Sequence, residues 1–337
     1  MPRIHYFDLL NVFACISVVA LHCNGYTHTY AHNTAWHQAL IFEVIFYAAV
    51  PIFFMLSGAT LFNFRERYPV KEFYKKRFFR TVIPYILFSL ILYTLFLFKL
   101  FIKIGSFSFD SHHFFSAIMT GHIPFSNYWF FIPLFLFYLF VPFLEKIVHY
   151  SSTRALAFLI LLIFFFQAII PIINRFGNLN ITQIIPIYGY SVYAFLGFVL
   201  NKTSLEENKP FLLGLGILTL LVWAIRYWGL TTLSHRDPFW FNYFGLYAVL
   251  PAMLFFLLSK KLNHFLCQHK NFSNKIKTLS SLSFGIYLIH GVVLAILPFD
   301  KSSPTYRLVG ILLVYCNCAL IIYILKKIPI LNKIIPS

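Results

Sequence analysis

Charged residues, and acidic residues above all, are scarce in this sequence. Only 11% of its 337 residues are charged, and ten Asp and Glu stand against 27 Lys and Arg. The hydrophobic fraction is 60% and the aromatic fraction 20%. The apolar residues come in blocks of about twenty, the length that crosses a bilayer, which argues against a large soluble core. We predict an all-α polytopic membrane protein that forms one transmembrane domain over residues 1–337.

Cysteine is sparse too, and no metal-ligand spacing occurs. The five cysteines are Cys15, Cys23, Cys267, Cys316 and Cys318. They contain no CxxC pair, so we expect free thiols and no disulfide framework. The first outer loop contains three histidines, His28, His32 and His37. They match no strong zinc pattern and have no acidic residue between them, so we expect solvated histidines and no metal site.

Ten apolar blocks can be marked along the chain. They cover residues 6–25, 38–62, 79–101, 128–147, 155–174, 184–200, 211–228, 239–259, 280–298 and 306–325. Lys and Arg number 20 at the N-terminus, in the even-to-odd loops and in the C-terminal tail, against 7 in the alternate loops and adjoining span ends. This bias predicts that both termini are cytoplasmic. It also explains the net charge of +17 without a nucleic acid partner.

The first span carries a polar stripe. At about 100° per residue, Asp8, Asn11, Cys15 and His22 fall within about 60° of one another. The helical rise places Asp8 and His22 about 20 Å apart, most of the way across the hydrocarbon. Because an ionisable side chain in a membrane normally faces a protein interior or a wet cavity, we expect the stripe to connect the two sides. A hydrogen bond from His22 to a neighbouring helix is the alternative. No signal-peptide cleavage site follows, so we expect a retained span.

The ninth span carries a second stripe, in which Ser283, Tyr287 and His290 lie within about 60° on one face. Glu43 lies near the outer end of the second span, which runs inward. His22 lies near the outer end of the first span, which runs outward. The two residues can therefore meet at the same depth, where Glu43 would orient His22 and stabilise its charge.

The inner loop between spans two and three is the most basic. It contains Arg65, Arg67, Lys71, Lys75, Lys76, Arg77 and Arg80. Arg77 and Arg80 share a helix face and enter the third span together. Such a cluster is typical of contact with anionic lipid head groups. The alternative is a cytoplasmic site for a phosphorylated donor, since guanidinium groups match phosphate geometry.

The long outer segment 103–127 leads into the aromatic sequence YWFF at 128–131. It contains Phe107, Phe109, Asp110, His112, His113 and His122. Aromatic residues at the start of a span usually form an interfacial belt, and stacking on a sugar ring is the alternative. Spans five, seven and eight are nearly featureless, and we expect them to be scaffold.

Five motifs, taken in order, resemble the acyltransferase family 3 membrane proteins. They are the DLL start and terminal His of span one, FFMLSG at 53–58, KKRFFRTVIP at 75–84, YWFFIPL at 128–134 and SFGIYLIH at 283–290. Each is weak alone, but together they cover nearly the whole chain. The resemblance implies a plasma-membrane enzyme that transfers an acyl group, usually acetyl from acetyl-CoA. The acceptor it implies is a hydroxyl of an extracytoplasmic polysaccharide or lipid-linked sugar.

The resemblance also implies roles for individual residues. By position, His22 matches the catalytic histidine of the family, Arg77 and Arg80 match its basic motif, and His290 matches the histidine of its last motif. The family commonly has Arg eleven residues before the catalytic histidine, and this chain has Asn11 there. We expect no attached extracytoplasmic hydrolase-like domain of the kind that some larger members have.

We therefore expect an O-acyltransferase with acyl-CoA as donor substrate and no permanently bound cofactor. His22 would act as general base or as acyl-His nucleophile, Glu43 would orient it, and Tyr287 or His290 would donate to the oxyanion. The donor site is expected to comprise Asn11, Lys76, Arg77 and Arg80. Two alternatives stay open: a transporter or flippase for a polysaccharide or lipid-linked sugar, and a non-catalytic membrane assembly partner.

Overall fold

A computed structural model of the chain describes residues 3–31, 33–105, 109–179, 181, 189–232, 237–297, 300, 303 and 305–335. Within these residues the regular structure is helical and no strand forms, so the all-α prediction is confirmed. The helices are α1 His5–Cys23, α2 Thr34–Phe46, α3 Ala49–Leu61, α4 Val70–Arg77, α5 Ile83–Ile104, α6 Ser111–Thr120, α7 Phe131–Tyr150, α8 Thr153–Phe164, α9 Ile170–Gly177, α10 Ser191–Lys202, α11 Lys209–Thr232, α12 Leu246–Lys261, α13 Asn263–Gln268, α14 Lys270–Ile296, α15 Ile311–Leu325 and α16 Pro329–Ile334.

Nine helical stretches of the described chain are long and apolar enough to cross a membrane. They are His5–Cys23, Thr34–Glu66, Val70–Ile104, Tyr128–Tyr150, Thr153–Gly177, Lys209–Thr232, Pro238–Gln268, Lys270–Ile296 and Tyr306–Leu325. Each coincides with a predicted block. The remaining block, 184–200, is represented by the 12-residue α10, because residues 184–188 lie outside the described residues. The prediction of a polytopic helical membrane protein is thus confirmed.

Helix α1 runs through the centre of the bundle. It packs against α2, α3, α12, α14 and α15. Leu10, Ala14, Val19 and Ala20 are all buried, and they are distributed around the helix circumference. A helix that is apolar on several sides needs protein on several sides. The polar stripe of α1 is therefore enclosed in the protein and does not face lipid.

Helices α3 and α10 pack in close backbone contact through two glycines. A Cβ added at Gly58 would lie 1.9 Å from the Ala194 backbone oxygen, and one added at Gly197 would lie 2.1 Å from the Met55 oxygen. Small residues permit this separation between membrane helices, where van der Waals packing is a main attraction. The contact fixes α3, whose Phe53 and Ser57 reach the cavities described below.

The outer surface of the bundle is apolar. Ile102 on α5, Phe158 on α8, Leu220 on α11 and Leu312 on α15 are all exposed. Large exposed apolar faces on long helices suit contact with lipid chains rather than with water. Ser89 on α5, and Thr219 and Arg226 on α11, are buried instead, so these spans also carry polar side chains that face the inside of the bundle.

Candidate active site

A cavity of about 410 Å³ opens beside the basic loop between α3 and α5. We call it the inner cavity, because the charge bias predicts that this loop is cytoplasmic. Arg67, Arg77 and Arg80 line it, together with Asn11 and Ser280. Three guanidinium groups around one cavity form a suitable site for a phosphorylated anion.

A π-helical turn, Phe78–Val82, lies between Arg77 and the start of α5. Pro84 follows this turn and has no N–H to continue the regular ladder, which explains why the helix widens here. Both Arg77 and Arg80 line the inner cavity, as expected from their shared face. The Arg77 guanidinium lies 5.7 Å from the Phe73 ring centroid and 5.6 Å from that of Tyr138, so two rings hold it in place.

Lys76 does not line the inner cavity, and its expected place in the donor site is corrected. Its Nζ lies 3.9 Å from Glu72 Oε1, one helical turn away, and 3.9 Å from the Tyr68 ring centroid. Neighbouring residues point about 100° apart on a helix, so Lys76 and Arg77 cannot face the same way. Lys76 therefore contacts Tyr68, which does line the cavity, and is not itself part of the lining.

The polar stripes of α1 and α14 face each other. Asn11 Nδ2 donates to Ser280 Oγ at 2.9 Å and to the Ser280 carbonyl at 3.1 Å. Cys15 Sγ lies 3.6 Å from the Ser283 carbonyl oxygen. The Asn11 amide therefore joins the two helices in the wall of the inner cavity.

Asp8 departs from the expected stripe. Its carboxylate accepts two hydrogen bonds of 2.7 Å from Arg3 Nε and Nη2. A bidentate pair of this kind is satisfied within its own segment and holds the start of α1. Asp8 lines neither the inner cavity nor the cavity around His22.

A second cavity, of about 170 Å³, surrounds His22. We call it the outer cavity. His28, Glu43, Tyr47 and Tyr243 also line it, so it contains two imidazoles, a carboxylate and aromatic rings. His22 and Glu43 lie at the same depth, as the opposite directions of their spans predicted.

The outer-loop histidines differ from one another. His28 is exposed, as expected, but it lines the outer cavity and is not simply a solvated loop residue. His37 Nδ1 lies 2.9 Å from the Tyr227 hydroxyl oxygen. His32 lies outside the described residues. Proximity in sequence therefore does not make these three histidines a group.

The rings of His22 and His290 are neighbours, with centroids 5.1 Å apart and planes inclined by 31°. His290 Nδ1 lies 2.7 Å from the Tyr287 carbonyl oxygen. Because a carbonyl only accepts, this nitrogen carries the proton and Nε2 of the neutral ring has the lone pair. Nε2 is buried and without a hydrogen-bond partner in the described part of the chain. The expected role of His290 as an oxyanion donor is corrected, since the neutral ring has no free N–H.

Tyr287 forms a wall between the two cavities together with Phe53 and Phe130, because all three line both. The Tyr287 hydroxyl donates to the Asn127 carbonyl oxygen at 2.6 Å. Its proton is therefore already engaged, which corrects the expectation that it donates to an oxyanion. The hydrogen bond instead holds the ring in the wall.

Glu43 does not make the expected direct contact with His22: among the described residues nothing hydrogen-bonds to the His22 ring. The Glu43 carboxylate Oε1 lies 3.7 Å from Arg226 Nη2, and Arg226 Nη1 donates to the Glu43 carbonyl at 3.3 Å. Arg226 is fully buried on α11, in the seventh predicted span. The expectation that this span is featureless scaffold is therefore wrong. The sequence feature that indicated a functional position in this span was the single charge of Arg226 near the end of an apolar run.

The outer segment 103–131 divides into two parts. Trp129 and Phe130, at the start of span four, line the outer cavity. Asp110 instead caps α6 by accepting from the His113 backbone N–H at 3.2 Å, and His113 Nδ1 lies 3.0 Å from the Tyr93 hydroxyl. Phe130 and Phe131 also line the inner cavity, whereas Phe109, His112 and His122 are exposed and line neither cavity, and Phe107 lies outside the described residues.

Comparison with known proteins assigns the family. A family model described as an acyltransferase domain, that of acyltransferase family 3, matches residues 4–327. The search of curated proteins gave no match. The search of solved structures also gave none. The matched range includes both cavities and every spanning helix described above. The chain is therefore a multi-pass membrane protein that belongs to acyltransferase family 3.

Proposed function

We propose that this acyltransferase moves an acetyl group from cytoplasmic acetyl-CoA to a hydroxyl of an extracytoplasmic polysaccharide or lipid-linked sugar, at the plasma membrane. One observation carries the proposal. The inner cavity, lined by arginines, and the outer cavity, lined by His22, share Phe53, Phe130 and Tyr287 as a common wall. A donor held on one side of this wall has its reactive end close to the histidine on the other side.

The donor's phosphates would bind Arg67, Arg77 and Arg80. Each guanidinium presents a planar set of donors, and hydrogen bonds between charged partners are about twice as strong as neutral ones. Asn11 stands where the family commonly has Arg, and its amide is engaged with Ser280. The three cavity arginines supply the positive charge that position 11 lacks.

The reactive end of the donor would cross the wall. Eleven residues of α1 separate Asn11 from His22, which is about 16 Å along the helix axis. The nucleotide part can remain among the arginines while the narrow thioester arm spans this distance. Only the acyl group then has to pass between Phe53, Phe130 and Tyr287.

His22 would carry out the transfer in one of two ways, both consistent with its free ring nitrogens. As general base, it takes the proton of the acceptor hydroxyl while that oxygen bonds to the thioester carbon. The C–S bond breaks, the proton passes to the CoA thiolate, and an ester and CoA thiol result. As nucleophile, a His22 ring nitrogen bonds to the thioester carbon, the C–S bond breaks and CoA leaves as the thiol with the proton of the imidazole. The acceptor oxygen then bonds to the acyl carbon, the C–N bond breaks, and the hydroxyl proton returns to the imidazole.

His290 would position His22. Two imidazoles joined edge to edge by one N–H···N bond have centroids about 5 Å apart. At the observed 5.1 Å the two rings are neighbours without a hydrogen bond, and a rotation of the His22 ring would bring an N–H to the lone pair of His290 Nε2. This contact would fix the tautomer of His22 and leave its other nitrogen basic.

The test uses purified protein in detergent with acetyl-CoA labelled in the acetyl group. The acceptor is surface glycan extracted from a strain that lacks this gene. We expect label on the glycan with the unmodified chain and none with His22→Ala, although both proteins purify as single folded species. Retained transfer by His22→Ala would contradict the assignment. Gradient-dependent movement of unmodified sugar in vesicles, without labelling, would favour a transporter instead.

A further inference from the structure

The buried Arg226 is surrounded by groups that hold it in one position. Its Nε donates to the Trp240 carbonyl at 3.0 Å and its Nη1 to the Glu43 carbonyl at 3.3 Å. Its guanidinium carbon lies 3.8 Å from the Tyr47 ring centroid and 4.8 Å from that of Tyr247. An intramembrane arginine is costly and marks a functional site by default.

The guanidinium continues into an aromatic stack that reaches the outer cavity. The Tyr47 ring stacks on that of Tyr243 with centroids 4.5 Å apart and planes inclined by 4°. The ring centroid of Tyr243 in turn lies 5.5 Å from that of Trp129. Tyr47, Tyr243 and Trp129 all line the outer cavity, whereas Arg226 does not. The arginine therefore supports the aromatic wall from behind.

Arg226 also supports a carboxylate that has room for a ligand. Glu43 is 5% exposed and lines the outer cavity. Within the described ranges, no N–H or O–H group donates to its carboxylate at hydrogen-bond distance. Arg226 Nη2, at 3.7 Å, balances the charge without occupying the lone pairs. His22 and His28 are the other charged or titratable groups that line this cavity, apart from tyrosines.

We propose that Arg226 is a positioning residue for an acceptor subsite that takes a neutral sugar ring. The Glu43 carboxylate would accept hydrogen bonds from two ring hydroxyls, while the apolar face of the ring lies against Tyr243 and Trp129. A carboxylate on the cavity wall repels an acidic sugar, which is why a neutral ring fits better than a uronate. This inference rests on the proposed acetyl transfer and assigns its acceptor side.

The experiment separates acceptor binding from donor chemistry. Initial rates are measured with labelled acetyl-CoA and the glycan extract, and acetyl-CoA hydrolysis is measured without glycan. For Arg226→Gln we expect the acceptor KM to rise about tenfold, with the KM for acetyl-CoA and the hydrolysis rate unchanged. The acceptor KM of Arg226→Lys should lie between those of the unmodified chain and Arg226→Gln, because lysine keeps the positive charge but lacks the planar guanidinium group. The matched control is Arg175→Gln. Arg175 lines neither cavity, and its replacement breaks an ion pair in which Nη2 lies 2.5 Å from Asp237 Oδ2.

A second comparison tests the sugar class and guards against misfolding. Carboxyl-reduced glycan extract, in which uronates have become neutral sugars, should be as good an acceptor as the native extract or better. If Arg226→Gln does not fold, the double variant Glu43→Gln/Arg226→Gln removes the unpaired buried charge and is expected to fold with the same raised acceptor KM.

Two results would overturn the inference. One is an equal rise of both KM values in Arg226→Gln, which means a general structural role. The other is an unchanged acceptor KM in Arg226→Gln or in the double variant. Loss of acceptor activity on carboxyl reduction would overturn the neutral-sugar class. An unmodified chain that releases no CoA with or without glycan contradicts the proposed function itself, which distinguishes the two failures.

Discussion

The imidazole rings of His22 and His290 meet with centroids 5.1 Å apart, where the polar stripes of α1 and α14 face each other. His22 lines the outer cavity, whereas His290 is buried behind it with Nδ1 on the Tyr287 carbonyl. The two rings therefore have different access to a substrate. In this account His22 reacts and His290 holds it, so their replacements should have unequal effects.

Replacing His290 with Phe keeps a ring of similar size and removes both nitrogens. The proposed hydrogen bond to His22 would be lost, and the loss of one such bond to a buried partner costs about 1–3 kcal/mol, so we expect transfer to slow about 5- to 150-fold. His290→Gln should retain more activity, because its side-chain amide reaches the place of Nε2. The measurement is the single-turnover rate with labelled acetyl-CoA. Equal losses for His290→Phe and His290→Gln would contradict a hydrogen-bonding role.

Replacing Arg77 or Arg80 with Gln should weaken donor binding selectively. A hydrogen bond to a charged group contributes about 1.5–3 kcal/mol, so each change should raise the KM for acetyl-CoA at least about tenfold and leave the acceptor KM unchanged. The controls are Lys71→Gln, at an exposed position on the same helix as Arg77 but outside the inner cavity, and Lys76→Gln. Both controls should behave nearly like the unmodified chain. A Lys76→Gln effect as large as that of Arg77→Gln would contradict the observed lining.

Introducing Arg at position 11 should strengthen donor binding. Asn11 lies in the wall of a cavity of about 410 Å³, which has room for the longer side chain. A further guanidinium there adds attraction for phosphate, and we expect Asn11→Arg to lower the KM for acetyl-CoA about three- to tenfold at low salt. Raising the salt concentration should reduce the gain. Asn11→Gln, which adds length without charge, is the control, and an equal gain from it would show that charge is not the cause.

Changing the size of Phe53 should control passage between the cavities. Phe53→Trp enlarges a side chain in the shared wall and should slow transfer without changing the KM for acetyl-CoA, since the arginines are untouched. Phe53→Ala should open the wall and increase acetyl-CoA hydrolysis in the absence of acceptor, because water then reaches the thioester. Phe88→Trp, which lines neither cavity, is the control. Transfer that is insensitive to the size of residue 53 would contradict a path through this wall.

The sequence predicted what helix geometry alone determines. The fixed angle and rise per residue placed Asn11, Cys15 and His22 on one face of α1, and Ser283 and His290 on one face of α14. The opposite directions of spans one and two brought His22 and Glu43 to the same depth. These relations depend on the geometry of each helix and not on how the helices pack, so the sequence alone could predict them.

Partners from distant parts of the chain could not be predicted in this way. Glu43 and Arg226 are 183 residues apart in sequence, and no periodicity within either helix specifies their contact. The hydrogen bond from Tyr287 to the Asn127 carbonyl likewise depends on how span four begins. Lys76 resembled Arg77 in type and position, but its angular offset turned it towards Glu72. Packing between elements therefore decided which polar residues entered the site.

In the proposed reaction a donor collected on the inner side is used by His22 on the outer side. The most direct measurement reconstitutes the chain in sealed vesicles, with labelled acetyl-CoA on the face of the inner cavity and glycan extract only on the face of His22. The account predicts labelled glycan outside with the unmodified chain, none with His22→Ala, and none when the acetyl-CoA is supplied outside. Equal labelling from either side, or labelling by His22→Ala, would contradict it.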